Sequence, residues 1–183
     1  KIENPVTRRH GHPCQHQVRR AVVEQRESPH DGRSLPRFPK INDLGLAIAG
    51  PFSTQLLSDL GATVIKVNTV YDMFWHSTHI AFTANRGKQS ISINLKDPRA
   101  TEVVLRLVAQ ADVLIEGYRP GVMEKLGLGP QPCLARNPRL VYGRMTGWGQ
   151  DGPMAQAAGH DANYIALAGA LHPLGAADAP PPL

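Results

Sequence analysis

The 183-residue chain has the composition of a globular domain, with 42% hydrophobic residues and a formal net charge of +5 at pH 7. Residues 1–42 carry all of the excess charge, because they hold nine Lys/Arg against four Asp/Glu while residues 43–183 hold eleven of each. A body without excess positive charge argues against a nucleic-acid-binding face, and no apolar run approaches the roughly 20 residues of a membrane span.

Residues 1–42 are predicted to be a disordered basic leader, unrelated to the rest of the chain. They lack helical or strand periodicity and include five prolines: Pro5, Pro13, Pro29, Pro36 and Pro39. Because proline supplies no ladder donor, the stretch 36–42 is a poor strand, and no buried strand is expected before residue 43.

Histidines and cysteines do not predict a metal site or a disulfide framework. The cluster His10, His12, Cys14 and His16 has alternate spacing and no second ligand pair of the structural zinc type. The chain has two cysteines, Cys14 and Cys133, and this low number favours a reducing compartment, the cytoplasm. No metal is therefore predicted.

Beyond residue 43, strand and helix patterns alternate. Helical spacing begins after Gly50-Pro51, ends at Gly61 and gives one apolar face, formed by Phe52, Leu56, Leu57 and Leu60. Residues 63–67 read as a buried strand, 68–84 as irregular, and 90–95 as a strand. Asp97-Pro98 opens a helix whose stripe is Val103, Val104, Leu107 and Val108.

The second half of the body continues this alternation. Strands are predicted at 113–115 and 140–145, short helices at 122–126 and 131–136, and an Ala-rich helix at 162–171. Such alternation indicates an α/β fold with a largely parallel sheet. Ligands of such sheets bind beyond the carboxyl ends of the strands, so functional residues are expected there.

The segment Gly159-His160-Asp161-Ala162-Asn163-Tyr164 brings a histidine and a carboxylate to the start of the last helix. The positive end of a helix dipole disfavours imidazolium, so His160 is expected to be a neutral base that accepts a proton near pH 7. The alternative is structural: His160 caps the helix and Asp161 complements its dipole.

Four groups of residues occur in order along residues 43–183: 49–52 with 59–62 (AGPF, DLGA), 85–88 with 94–96 (NRGK, NLK), 111–121 (ADVLIEGYRPG), and the GHD of 159–161. Together they resemble the family III CoA-transferases (the CaiB/BaiF superfamily), and the GHD form is similar to the α-methylacyl-CoA racemase branch. The resemblance implies a Rossmann-like domain with flanking helices, in a family whose full-length members form interlocked homodimers.

The resemblance also implies an acyl-CoA substrate, which carries coenzyme A itself, and no separate cofactor. The adenosine and phosphate end would lie against Ile93, Asn94, Leu95, Lys96, Gly117, Tyr118 and Arg119, with Lys125 as a further cation. The pantetheine and thioester end would lie against Gly159, His160, Asp161, Ala162, Asn163 and Tyr164. The family often has an arginine after the second strand, where this chain has Asn68 and Thr69; Lys66 or the cations of 85–88 would substitute for it.

In the racemase branch, His160 would remove the proton next to the thioester carbonyl, and an aspartate on the opposite face would return it. That aspartate follows a proline-containing loop in the family, and this chain ends in such a loop, at 179–183. Residues 43–183 are thus predicted to be the N-terminal part of the large domain, truncated at the carboxyl end. Three hypotheses stay open: a racemase fragment, a CoA-transferase, and an inactive nucleotide-binding remnant.

Overall fold

The computed structural model describes residues 37–71, 78–175 and 178–179, and its centre is one five-stranded sheet. The strands are β1 (Lys40–Leu44), β2 (Thr63–Thr69), β3 (Gln89–Ile93), β4 (Val113–Glu116) and β5 (Val141–Arg144). Their order is β3-β2-β1-β4-β5 and every pairing is parallel. The predicted α/β class with a parallel sheet is confirmed.

Six helices are described around this sheet. They are α1 (Ala49–Asp59), α2 (His79–Ala84), α3 (Pro98–Val108), α4 (Val122–Lys125), α5 (Pro130–Arg136) and α6 (Asp161–Leu167). The predicted irregular stretch 68–84 therefore contains the end of β2 and all of α2, while residues 72–77 lie outside the described part. None of the helices described is long and apolar enough to cross a membrane.

The first strand corrects an expectation from the sequence. Residues 40–42, assigned to the leader, belong to β1, where Ile41 is 1% exposed and Leu44 is 0% exposed. Pro39 precedes the strand, so its missing N–H removes no ladder bond, and its carbonyl accepts a hydrogen bond from Thr63 N at 3.0 Å. Residues 1–36, and with them the His10–His16 cluster, lie outside the described residues.

Helix α3 packs its predicted stripe into the larger of two cores. Val104 and Val108 are 0% exposed and Val103 and Leu107 are partly buried, as the 3.6-residue period requires. Asp97 caps the helix by accepting a hydrogen bond from Arg99 N at 2.9 Å, and Pro98 follows at the first turn. This core joins the helix to β4 through Leu114.

The apolar face predicted for α1 is wrong in orientation. Phe52, Leu56 and Leu60 are exposed and only Leu57 packs on a core, whereas Gly50, Pro51, Thr54 and Gln55 are buried. The reason is polar: Thr54 Oγ1 donates to the buried carboxylate of Asp43 at 2.6 Å, which turns the Thr54 side of the helix inward.

The strand order places a crevice at the centre of the sheet. The chain moves outward from β1 to β2 and β3, then crosses back to β4 on the other side of β1, so β1 and β4 flank the point where the direction reverses. At such a point the connections leave to opposite faces and their carboxyl ends open a ligand crevice. The loops after β1 and β4 are therefore the first place to look for a site.

Candidate functional site

Three strands converge at the carboxyl edge around Gly117, the first residue after β4. A Cβ built there would lie 3.6 Å from Leu46 N, 3.8 Å from Gly45 Cα and 3.8 Å from Met145 O. The loop after β1 and the end of β5 thus both approach Gly117 closely enough to contact a side-chain methyl group there. Met145 N also donates to Glu116 O at 2.8 Å, which ties the end of β5 to that of β4.

Glu116 ends β4 as a buried carboxylate. It is 3% exposed, and its Oε2 accepts the Tyr118 N–H at 2.7 Å, which fixes the turn through Gly117. Burial raises the pKa of Glu116 above its ordinary value, against the lowering effects of that hydrogen bond and of Arg144, whose Nε lies 3.8 Å away. The carboxyl group therefore holds the loop while resisting ionisation.

The predicted nucleotide-end cations lie on the strand-end loops with exposed side chains. Lys96 follows β3, Arg119 follows β4, and Lys125 ends α4. Lys96 Nζ stands 4.6 Å from the centroid of the exposed Tyr71 ring, a cation–π distance. The ends of β3 and β4 are three strand intervals apart, roughly 14 Å at about 4.8 Å per interval, so an extended ligand is needed to reach both.

The remaining residues predicted for the nucleotide end divide into core and loop. Ile93 and Leu95 are each 9% exposed and belong to the large core, so their side chains serve packing and only their backbone faces the loop. Asn94 makes the turn, with its Oδ1 accepting Lys96 N at 3.0 Å. Tyr118 packs partly against the same core, next to Gly117.

The GHD segment forms the start of α6, with His160 as the residue before its first turn. Asn163 Oδ1 accepts the backbone N–H of His160 at 3.0 Å, and Tyr164 N donates to His160 O at 3.1 Å. His160, Asp161 and Asn163 are exposed, and Gly159 and Ala162 are half-buried. His160 is thus the residue that caps α6, and its side chain is exposed.

Tyr164 is held in place by two glycines and a tryptophan. A Cβ on Gly159 would lie 2.6 Å from Tyr164 Oη, and one on Gly147 would overlap the same oxygen. The Trp148 and Tyr164 rings are tilted by 60° with centroids 4.9 Å apart, a favourable aromatic geometry. This arrangement, the Tyr164 clamp (Gly147, Trp148, Gly159 and Tyr164), ties α6 to the segment that follows β5.

A buried charge cluster at the ends of β1 and β2 joins Asp43 to Lys66 and Lys88, two of the cations expected to substitute for the family's arginine. Asp43 Oδ2 lies 2.8 Å from Lys88 Nζ, and Asp43 Oδ1 lies 3.3 Å from Lys66 Nζ. The side chains of Asp43, Lys66 and Lys88 are 0%, 6% and 1% exposed. Burial alone would raise the pKa of Asp43, yet the two ammonium groups and the hydrogen bonds from Lys88 and Thr54 hold it below its ordinary value.

This cluster corrects the roles expected for Lys66 and for the cations of 85–88. Lys66 Nζ donates to the Gly45 carbonyl as well as to Asp43, and Lys88 Nζ donates to Pro51 O at 2.7 Å. Arg86 pairs with Asp59 at 2.7 Å on the surface. Both lysines are thus used inside the fold, so neither substitutes for the arginine that the family often has after β2.

A cavity of about 360 Å³ lies beside Arg144, at the end of β5. Its lining comes from the α4–α5 connection and from the start of α5: Glu124, Gly129, Pro130, Gln131, Pro132 and Arg144. Arg144 binds Glu124 and the Gln150 side chain, and its guanidinium carbon is 5.6 Å from the Tyr142 ring centroid. The guanidinium group of Arg144 therefore interacts mainly with neighbouring side chains of the protein.

The parallel sheet with flanking helices is an α/β domain of the class that binds ligands beyond the carboxyl ends of its strands. The profile of CoA-transferase family III matches residues 40–183, more than three-quarters of the chain, and the chain belongs to this family. The family predicted from the sequence is confirmed. Members of the family are enzymes that act on acyl-CoA, as racemases or as CoA-transferases.

Relatives of both activities match at similar identity. An α-methylacyl-CoA racemase of Mus musculus is 46% identical over 139 residues, which cover 76% of this chain and 35% of that protein. A succinyl-CoA:glutarate CoA-transferase of the same organism is 40% identical over 153 residues, which cover 78% of this chain and 35% of that protein. The chain spans about a third of the length of these relatives.

Solved structures support the fold. A CAIB/BAIF family protein from Brucella suis superposes with a TM-score of 0.73 at 35% identity, over 79% of this chain and 42% of that chain. At this identity the likeness covers sequence as well as fold, so the parallel sheet and its strand-end loops are those of the family.

Proposed function

We propose that the chain carries the proton-abstracting half of an α-methylacyl-CoA racemase site. The observation that carries the proposal is His160, which stands exposed at the start of α6 with its backbone fixed by Asn163 and its helix fixed by the Tyr164 clamp. The 46% identity to a mammalian racemase supports the same choice.

The substrate's phosphates are assigned to the cations of the nucleotide end. Lys96 and Arg119 are exposed on loops of the carboxyl edge and Lys125 is exposed at the end of α4, so a 3′-phosphate and a pyrophosphate would meet their charge at little desolvation cost. The pantetheine arm then extends past Gly117 and Tyr118 towards the GHD segment. A long ligand suits this site because the ends of β3 and β4 are roughly 14 Å apart.

In the proposed reaction, an imidazole nitrogen of His160 takes the proton from the carbon next to the thioester carbonyl. The electron pair of the C–H bond moves into the carbonyl, giving an enolate whose oxygen needs hydrogen-bond donors. A proton is then returned to the opposite face, which inverts the centre. By resemblance to the family, an aspartate on the opposite face would supply that proton.

The direct test is exchange at the α-carbon. A single-enantiomer 2-methylacyl-CoA is incubated in D₂O with the protein and with its His160→Ala variant, and deuterium at C2 is measured together with optical activity. The wild type is expected to incorporate deuterium, and the variant to lose at least about 100-fold of that rate, as for a missing general base. Gly143→Ala serves as a control outside the segment; equal exchange rates in wild type and His160→Ala would remove His160 from the mechanism.

A CoA-transferase is the second candidate, supported by the 40% identity to a succinyl-CoA:glutarate CoA-transferase. A transferase would move CoA to a free carboxylate through a mixed anhydride and would leave the α-proton in place. Incubation with succinyl-CoA and a dicarboxylate acceptor separates the two reactions. New thioester without α-deuterium would favour the transferase, and binding without either reaction would favour an inactive nucleotide-binding remnant.

A further inference from the structure

The Asp43 cluster (Asp43, Lys66, Lys88 and Thr54) is the most completely buried set of charges in the described part of the chain. Asp43 accepts from Thr54 Oγ1 at 2.6 Å, from Lys88 Nζ at 2.8 Å and from Gly45 N at 2.8 Å. Two ammonium groups face one carboxylate, so the cluster keeps an excess positive charge that backbone carbonyls must stabilise. Removing three charged groups from water is costly, and a fold retains them only where their bonds fix something.

The cluster fixes the β1–α1 loop from both sides. The N–H of Gly45 donates to Asp43, and the carbonyl of Gly45 accepts from Lys66. Lys88 donates to Pro51 O at 2.7 Å, and thereby holds the first turn of α1 against the same carboxylate. The loop thus has one end bound to Asp43 directly and the other bound to it through Lys88.

The path of the loop is narrow and strained. A Cβ on Gly45 would lie 2.9 Å from Pro51 Cδ and 3.0 Å from Gly50 Cα, so strand end and helix start touch with no side chain between them. Ala47, two residues on, has a φ of 55°, a left-handed conformation that is strained for a non-glycine residue. Such a conformation persists only where the surroundings hold it.

The same loop supports the residues assigned to the ligand. Leu46 N and Gly45 Cα lie 3.6 and 3.8 Å from the position of a Cβ on Gly117, which precedes Tyr118 and Arg119. A shift of Gly45 by an ångström would therefore displace the β4–α4 loop or open a gap beneath it. Hydrogen bonds connect Lys88, Asp43 and Gly45, and Gly45 lies close enough to Gly117 to contact a methyl group there.

We propose that Asp43 is a positioning residue for the acyl-CoA site, acting with Lys66 and Lys88 to set the β1–α1 loop on which Gly117 and Tyr118 rest. This proposal depends on the proposed function only for the identity of the ligand. Asp43 does not touch the ligand in this account; it acts through Gly45.

The test compares Asp43→Asn with Glu102→Gln in the full chain. Asn keeps one acceptor oxygen but turns an amide donor towards a lysine or Thr54, whereas Glu102 only pairs with Arg136 on the surface at 2.9 Å. Amide hydrogen exchange is followed at 45–50 and 117–118, with 104–108 in α3 as the internal reference. Affinity for CoA is measured by titration calorimetry on the folded fraction.

Asp43→Asn is expected to speed exchange at 45–50 and 117–118 by at least about tenfold relative to 104–108, and to weaken CoA binding by a similar factor. Glu102→Gln is expected to change neither. If hydrogen exchange instead accelerates equally along the whole chain, and the folded fraction binds CoA with unchanged affinity, Asp43 has a purely structural role and the proposal is overturned.

A second variant keeps the test decisive if Asp43→Asn does not fold. Lys66→Met leaves Asp43 paired with Lys88 and removes the bond to the Gly45 carbonyl, so faster exchange is expected at 45–48 with α3 unchanged. Protection of 45–48 equal to wild type would contradict the proposal. If the wild-type chain binds no CoA, that result contradicts the proposed function. The hydrogen-exchange pattern still decides whether the Asp43 cluster fixes the β1–α1 loop.

Discussion

The Asp43 cluster, at the end of β1, and the GHD segment, beyond β5 at the start of α6, are opposite in burial and in support. Asp43 is 0% exposed and accepts hydrogen bonds from four groups, whereas His160 is exposed and α6 has no buried residue. Residues with recognisable chemistry are therefore carried on a lightly packed element, whereas the buried charges hold the loop after β1, and of these only Lys88 belongs to one of the four groups that carry the family resemblance.

This difference has an energetic meaning. Breaking a buried, hydrogen-bonded ion pair leaves an uncompensated charge in the interior, and measured costs are about 3–5 kcal/mol. Truncating an exposed side chain usually changes stability by about 0.5 kcal/mol or less. A substitution in the GHD segment can thus remove chemistry from a folded protein, whereas one in the cluster alters fold and site together.

The largest effect is expected from Lys88→Met. The substitution removes two hydrogen bonds of the Lys88 ammonium, to the Pro51 carbonyl and to Asp43 Oδ2, and leaves Asp43 with Lys66 as its cation. Hydrogen bonds to charged groups contribute about 1.5–3 kcal/mol each, so the free energy of unfolding should fall by about 3–5 kcal/mol in chemical denaturation. Lys96→Met is the matched control, because Lys96 is exposed, and should change it by less than about 1 kcal/mol. Similar losses of stability in both variants would contradict the claim that the buried lysine stabilises the fold more than the exposed one.

Gly147→Ala should come next, through the Tyr164 clamp. The new methyl group would overlap Tyr164 Oη and push the ring from Trp148, at a cost of about 1–3 kcal/mol for overpacking. Near-ultraviolet circular dichroism should lose the signal of the Trp148–Tyr164 pair. In Gly143→Ala the new Cβ would have its nearest neighbour at an ordinary 3.5 Å, so this variant should keep the signal. Loss of the signal in both variants would show that the Tyr164 clamp is not the cause.

Two buried carboxylates on neighbouring strands should respond to pH in opposite directions. The pKa of Asp43 is lowered in the fold, so its stabilising contribution is present above the unfolded pKa and is lost as pH falls through the folded value. The pKa of Glu116 is raised, so its contribution is full below the unfolded pKa and is lost as pH rises through the folded value.

The free energy of unfolding, measured as a function of pH, should separate the contributions of Asp43 and Glu116. Relative to Glu116→Gln, the wild type is expected to lose stability as pH rises above about 4.3, the ordinary Glu value. Relative to Asp43→Asn, it is expected to lose stability as pH falls below about 3.9, the ordinary Asp value. Parallel pH profiles for wild type and Glu116→Gln would show that Glu116 titrates normally.

His160→Ala should have the smallest effect on stability, below about 1 kcal/mol. Its side chain is exposed, and its backbone N–H donates the capping hydrogen bond to Asn163 Oδ1, a bond that alanine retains. Thermal unfolding of the two proteins should nearly coincide. A large loss of stability would mean that any loss of exchange activity in this variant reports folding and not proton transfer.

Local patterns were sufficient to predict much of the sheet. Strands β2 to β5 and helix α3 lie within a few residues of their predicted bounds, because each has a compact apolar run or a stripe at helical spacing. Helix α6 ends earlier than expected, at Leu167, shortly before Gly169 with its φ of 76°. The family, the GHD segment and the strand-end motifs were recognisable from ordered short motifs.

Long-range charge pairing was not predictable from such patterns. Asn42 and Asp43 interrupt the apolar run of β1, and the lysines that make Asp43 tolerable lie 23 and 45 residues further on. The same pairing turns Thr54 inward and leaves Phe52, Leu56 and Leu60 exposed, which reverses the face predicted for α1. Only the positions of these groups in the fold connect them to the site.

The central claim, that the carboxyl edge of this sheet is an acyl-CoA site, is tested most directly by calorimetric titration with acetyl-CoA at two salt concentrations. The account predicts measurable binding that weakens with salt and falls about tenfold, near 1.4 kcal/mol, in Arg119→Ala or Lys125→Ala. Arg139→Ala, an exposed arginine at the amino end of β5, should leave affinity unchanged. Affinity and salt dependence that are identical in all four proteins would contradict the claim.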